Sequence, residues 1–232
     1  MSHHLGQCIL HNTSTLEGIF DVVQSIYAHQ PIREIWPGPW VMTRYLHTLD
    51  HDLIAYELDT KYKNKLTNYH IVRWDVLSTR TAPTQDIFVY WSLPYYITSP
   101  LLQLMTDQHI TWVYVIQHEV WRKIASHATK KSYLRWLLNF THTITYHHTI
   151  DRSEFAPIPQ VDSCVISMMP HDRMWDDRQH GQMIKLLDML HAKRKTIGAQ
   201  FKHLGKSYPA HLWSKRLEQL QRHELFELAH DL

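Results

Sequence analysis

Residues 14–28 carry Leu16, Ile19, Phe20, Val23, Ile26 and Tyr27 at helical spacing behind a Thr/Ser cap, and Pro31 stops the helix they predict. Short apolar runs then recur at 32–36, 53–58, 70–73, 87–91 and 112–117, each the length of a buried strand, with helix-like stretches between several of them. Any one run could be a buried helix turn. Five at this rhythm predict an α/β fold around a parallel sheet. The pattern changes near residue 170. A polar stretch at 170–180 reads as a linker; Met183, Leu186, Leu187 and Leu190 stripe a helix; and a last helix is predicted near 214–229. The expected organisation is a domain over 1–170 and a small helical domain over 171–232.

Two cysteines in 232 residues, Cys8 and Cys164, lie far apart with no CxxC, which argues against a disulfide scaffold or a zinc knuckle. The twenty histidines are scattered and form no HExxH, so no metal is expected. No run approaches the roughly 18 apolar residues of a membrane span, and no signal peptide opens the chain. A soluble, cytoplasmic protein with no membrane partner is the expectation. The six glycines and nine tryptophans do not fit this picture. Roughly 7% glycine is usual, and glycine is what the tight turns around a nucleotide require.

Candidate chemistry sits at the strand ends. Ile35-Trp36-Pro37-Gly38-Pro39-Trp40 follows a predicted strand, where nucleotide-like ligands bind in open parallel sheets. Glu57 and Asp59 close the next strand; an acid there either accepts from both ribose hydroxyls or is a solvated strand end. Trp74-Asp75 follows the third, where Asp75 could accept from an adenine amino group. Ser92-Leu93-Pro94-Tyr95 follows the fourth and is either an ordinary proline turn or a polar-x-Pro-aromatic loop. Such a loop suits an exocyclic amine, a poor nucleophile when conjugated with a purine: a side-chain oxygen and a backbone carbonyl accept from it while the ring stacks on the extruded base.

These stretches resemble the ribosomal RNA adenine N6-dimethyltransferase family nearly end to end. Gly6-Gln7-Cys8-Ile9-Leu10 resembles its Gly-Gln-Asn-Phe-Leu, Glu34-Ile35-Trp36-Pro37-Gly38 its Glu-Ile-Gly-Pro-Gly, and Glu57-Leu58-Asp59 its acidic strand end. Trp74-Asp75 falls on Gly-Asp, Ser92-Leu93-Pro94-Tyr95 on Asn-Leu-Pro-Tyr, and Gln117-His118-Glu119-Val120 on Gln-Lys-Glu-Val. The segment from Phe155 to Ser163 resembles Phe-x-Pro-x-Pro-x-Val-Asp-Ser, and Lys193-Arg194-Lys195-Thr196 resembles Arg-Arg-Lys-Thr. The resemblance implies a Rossmann-like class I methyltransferase sheet with a helical C-terminal domain. It also implies S-adenosyl-L-methionine as methyl donor and small-subunit ribosomal RNA in an assembling 30S-type subunit as partner, acted on by a monomer. It places Cys8, Leu10, Trp36, Gly38, Glu57, Asp75 and Ser92 at the cofactor. Ser92, Leu93, Pro94 and Tyr95 fall at the target adenine, whose N6 attacks the donor methyl directly. Cys8 replaces an amide-bearing Asn, and nothing nearby in sequence would activate it as a nucleophile.

Net charge is only +2, but its distribution is uneven. Arg122, Lys123, Lys130 and Lys131 fall in one stretch without acids, and Lys193, Arg194, Lys195, Lys202 and Lys206 in another. Such clusters are either solvated faces or phosphate-binding surfaces for RNA; the resemblance favours RNA for Arg122, Lys123, Lys130, Lys131, Lys193, Arg194 and Lys195. A catalytically impaired RNA-binding assembly factor on the same scaffold is the alternative, as is, more distantly, a relative acting on large-subunit RNA.

Trp36, Trp74 and Trp91 each stand where that family carries glycine, and Trp40 and Trp121 stand at small-residue positions. Indoles at 36 and 40 predict a partly filled pocket. One residue type recurring at glycine positions points to a systematic cause: a gene in which UGA specifies glycine, translated with UGA as tryptophan. Glycine at these sites gives Glu-Ile-Gly-Pro-Gly-Pro-Gly, Arg-Gly-Asp and Tyr-Gly-Ser-Leu-Pro-Tyr, and corrects both anomalies of composition. Trp112 and Trp213 are further candidates. UGA codons are expected at 36, 74 and 91, and UGG there in the gene would exclude this origin.

Overall fold

The computed structural model describes residues 8–39, 41–59, 62, 69–73, 87–92, 98, 101–102, 110–125, 132–171, 177–191, 195–203, 205 and 207–230. The chain forms two compact units, residues 1–121 with 142–170, and residues 122–141 with 171–232. Residue 170, the expected boundary, is one of the points where the chain passes between them; residues 122–141 also group with the C-terminal unit.

In the first unit, helix α1 (Thr13–Ile26) starts because Asn12 Oδ1 accepts from the N–H groups of Ser14 (3.0 Å) and Thr15 (3.3 Å). Its buried face is Leu16, Ile19 and Val23, and a short helix, α2 (Thr43–Leu46), follows later in this unit. The five apolar runs become strands β2 (Ile32–Ile35), β3 (Ile54–Tyr56), β4 (His70–Val72), β5 (Ile87–Ser92) and β6 (Ile110–Gln117), all parallel where they pair. β5 and β6 are buried almost throughout, as strands covered on both faces must be. Two further strands complete the sheet: β7 (His142–Ile150) and β9 (Ser163–Pro170) add antiparallel to β6, in the order β4-β3-β2-β5-β6-β9-β7. A two-stranded sheet pairs β1 (Ile9–Leu10) with β8 (Phe155–Ala156). It is held beside α1 by the Thr15 hydroxyl donating to Glu154 and by the His11 N–H to the Glu154 carbonyl at 3.1 Å. Leu16, Ile19, Val23, Ile32, Phe88, Val113, Val115 and Val165 share one core.

The second unit has its own core. Helices α4 (Tyr133–Thr141), α5 (Asp177–His191), α6 (Ile197–His203) and α7 (Arg222–His230) bury Leu137, Leu186, Leu187, Leu190, Phe201 and Leu228 together; helix α3 (His118–Ile124) precedes them across the unit boundary. Two expectations change here. The linker at 170–180 ends early, because α5 begins at Asp177. The helix expected near 214–229 is replaced by a 3₁₀ turn at Leu217–Gln219 followed by α7, which starts where Glu224 accepts from the Gln221 N–H (2.8 Å) and from the Lys215 ammonium. No helix among the described residues is long and apolar enough to cross a membrane. No three His, Cys, Asp or Glu among them are placed to hold a metal.

Leu186 is fully buried in this second core. Leu186→Ala is expected to cost about 2–5 kcal/mol, seen in hydrogen exchange as lost amide protection in α5 to α7 before the sheet.

Candidate active site

The carboxyl ends of three neighbouring parallel strands meet at one place. Ile35 of β2 lies beside Tyr56 of β3 and Trp91 of β5, so the segments that leave these strands are adjacent. After β2 the chain turns sharply: residue 36 has φ +63° and Gly38 has φ +54°. The turn is tied to β3 twice. The residue 36 N–H donates to the Tyr56 carbonyl at 2.9 Å, and the Gly38 N–H to Glu57 Oε2 at 3.2 Å. Glu57 accepts with its other oxygen from the Asp59 N–H at 2.8 Å. Burial raises its pKa, and these backbone donors oppose the rise. Glu57, expected to hold a ribose, thus binds the turn with one carboxylate oxygen and the chain just after its own strand with the other.

A cavity opens against this turn. It is lined by Cys8, Ile9, Leu10 and Leu16 from one side, by Trp36, Pro37, Gly38, Pro39, Val41 and Met42 from the turn, and by Glu34, Tyr90 and Ser92 from the strands. Of the residues expected at the cofactor, Cys8, Leu10, Trp36, Gly38 and Ser92 come together here, and Glu57 braces the wall. Asp75, Leu93, Pro94 and Tyr95 lie outside the described residues, as do Trp40, Trp74, Lys130, Lys131, Lys193 and Arg194. Burial pushes the Cys8 thiol up, away from the thiolate a nucleophile needs.

Glu34 and Tyr90 are the site residues that sequence reasoning did not single out. They are register partners on β2 and β5. Glu34 is 1% exposed, and its Oε2 has no hydrogen-bond partner. Burial pushes its pKa up to about 8; the nearby Thr43 hydroxyl opposes the rise and the Glu57 carboxylate adds to it. The Tyr90 hydroxyl is raised too, by burial first and then by Glu34. A carboxylate between Ile32 and Ile35 of a short, mostly buried strand was the available signal.

The cavity volume is about 50 Å³, whereas sites for drug-sized ligands run from about 300 to 1,000 Å³. Trp36 stands in its lining with the indole Nε1 buried and without an acceptor. With that side chain in place, the described lining does not fit S-adenosyl-L-methionine.

Comparison with known proteins agrees with the fold. The family described as ribosomal RNA adenine dimethylase matches residues 1–228. The ribosomal RNA small subunit methyltransferase A of a serotype M3 strain of Streptococcus pyogenes is 27% identical over 225 residues, covering 87% of this chain and 77% of its own. Among solved structures, the 23S rRNA methyltransferase ErmE superposes with a TM-score of 0.73 at 20% identity, covering 97% of this chain and 99% of its own. A dimethyladenosine transferase from Plasmodium falciparum superposes with a TM-score of 0.73 at 20% identity, covering 95% of each chain. These two likenesses establish the Rossmann-like methyltransferase fold, and the family match spans nearly every residue: the chain belongs to the ribosomal RNA adenine dimethylase family, whose members use S-adenosyl-L-methionine as methyl donor.

Proposed function

We propose that this protein is built to dimethylate adenine N6 in small-subunit ribosomal RNA during subunit assembly. The observation that carries the reading is the position of Ser92. It ends β5 on the lining of the cavity, where its hydroxyl can accept from an exocyclic amine presented at the carboxyl edge of the sheet. Leu93, whose carbonyl would accept from the same amine, and Pro94 and Tyr95, whose ring would stack on the base, follow it in sequence. Glu34, with its pKa near 8, is mostly neutral at pH 7 and keeps a second full negative charge away from Glu57. The small subunit is favoured by the name of the Streptococcus pyogenes relative and by Lys193-Arg194-Lys195-Thr196.

The helical unit would supply the RNA surface. Of the basic residues assigned to RNA, the described ones, Arg122, Lys123 and Lys195, are all exposed and all belong to the second unit, so the two basic stretches, far apart in sequence, fall in one unit. Phosphate attraction of this kind is independent of base sequence.

A second reading, an RNA-binding assembly factor that does not methylate, is favoured by the 50 Å³ cavity. Labelled methyl transfer to small- and large-subunit particles separates the readings, using the chain as it stands and a variant with glycine at positions 36, 40, 74 and 91. Label in small-subunit adenines, lowered about tenfold or more by adding Ser92→Ala, is expected from the variant. Label only in large-subunit RNA would move the target. Binding without label from either form would leave the assembly factor.

Two further outcomes are expected. Removing Arg122, Lys123 and Lys195 together should make the slope of log affinity against log salt shallower by about 2 to 3, measured by filter binding to small-subunit RNA. The raised pKa of Glu34 means that its stabilising neutral form is fully present below the unfolded carboxyl pKa and is lost as pH rises through about 8. Denaturation from pH 5 to 9 should therefore show stability falling with pH, and Glu34→Gln should flatten that fall by an amount on the order of a few kcal/mol.

A further inference from the structure

The tryptophans of this chain are not alike in how they sit. Trp136 fits its place: its indole N–H donates to the Leu217 carbonyl at 3.2 Å, and the Arg135 guanidinium lies 5.8 Å from its ring. The ring of Trp213 lies where a Cβ on residue 198 would come within 2.6 Å of it, and residue 198 is glycine. Trp36, Trp91 and Trp112 differ from both. Each has its indole nitrogen buried with no acceptor, a cost that native interiors rarely leave uncompensated. Trp91 and Trp112 are fully buried in the two central strands, either side of Tyr114, whose hydroxyl is also buried without a partner.

Position 36 carries a second misfit, in the backbone. Its φ of +63° lies in the left-handed region, where a Cβ crowds the following carbonyl and only glycine is at ease. The conformation is imposed from outside, because the N–H of residue 36 is bonded to Tyr56 and that of Gly38 to Glu57. The turn therefore keeps this shape whatever side chain it carries. A large side chain at a position shaped for none must go somewhere, and this one stands in the lining of the cavity, together with Ser92 and the β1 residues Ile9 and Leu10.

We infer that residue 36 gates the donor pocket: the indole occupies ligand space, and glycine is the residue this backbone is built to carry, in whose presence the cavity admits an adenosyl ligand. The inference rests on the methyltransferase reading and goes beyond it in assigning the closure to one side chain.

The test is calorimetric titration with S-adenosylhomocysteine, an unreactive probe, of the full chain, of Trp36→Gly, of Trp36→Ala, and of the variant with glycine at 36, 40, 74 and 91. Melting curves without ligand are recorded for each and for Trp136→Gly. Trp36→Gly is expected to bind at least a hundredfold tighter than the unsubstituted chain and to melt no lower than it. Trp36→Ala, which keeps a Cβ at positive φ, should melt below Trp36→Gly, and Trp136→Gly should melt lowest. Equal binding by the unsubstituted chain would overturn the gate and leave the methyltransferase reading standing. Binding by the fourfold variant alone would likewise overturn residue 36 as the gate while keeping that reading. Folded Trp36→Gly and fourfold variants that both fail to bind would overturn the two together. Trp36→Gly and fourfold variants that both bind the probe, with no RNA labelled by the fourfold variant, would uphold the gate and sink the proposed function.

Discussion

The site depends on one turn, held open by two hydrogen bonds from its backbone to the neighbouring strand. The N–H groups of residues 36 and 38 are given to Tyr56 and Glu57, so the chain leaving β2 is bound sideways to the chain leaving β3. Parallel strands present their carboxyl ends in a row, and the space outside that row is where such sheets bind ligands. The bonds bring the turn, the acid and the end of β5 into one wall. The same bonds impose positive φ on residues 36 and 38, and Gly38 meets that demand without cost. Glu57 is the anchor of this arrangement: removing its carboxylate would leave the buried Gly38 N–H without its acceptor, so the acid supports the geometry before it can serve any ligand.

The sheet transmits this constraint. β5 and β6 are buried on both faces and lie between β2 and the antiparallel pair β9 and β7. Interiors of this kind are packed at crystal-like density, so a side chain too large for its place cannot be absorbed by a small local shift. Tyr114 stacks on Trp112 of its own strand at 5.2 Å and meets Trp91 of β5 at a tilt, 5.9 Å between ring centroids. Aromatic contact at that distance is favourable, which offsets part of the cost of their unpartnered polar atoms. The strand pairing remains regular through all three residues.

Much of this was legible in the chain. β5 and β6 were readable because each is a mostly apolar run, the mark of burial on both faces, and β2, β3 and β4 as shorter segments at the same rhythm. β9 is nearly as apolar, but its role as an antiparallel partner was hidden, since nothing in a buried strand records its direction. β7 was hidden for another reason: as an edge strand it alternates irregularly, with a register shift between Tyr146 and His148 that leaves His147 unpaired in the ladder. The stripe of Met183, Leu186, Leu187 and Leu190 gave the position of α5 but not its start, because the polar residues before it are its exposed first turns. The last helix began late because Glu224 and Lys215 form a cap that no apolar spacing encodes. At the site, the strand-end residues were legible as a series, while the turn's positive φ and the self-bracing of Glu57 arise only from the pairing of two strands distant in sequence.

The two carboxylates beside the cavity show why a single position can decide what the site does. Glu34 and Glu57 both lie at 1% exposure, and a buried charge without a partner is too costly to keep. Glu57 resolves this by taking two backbone donors, and Glu34 by holding its proton, its pKa pushed up to about 8. The wall is thus electrostatically settled with no ligand present, and nothing in its charge forces the cavity open or shut. What separates a closed cavity from an open one is volume alone, and the largest side chain lining it is the indole of Trp36, on a backbone that demands none.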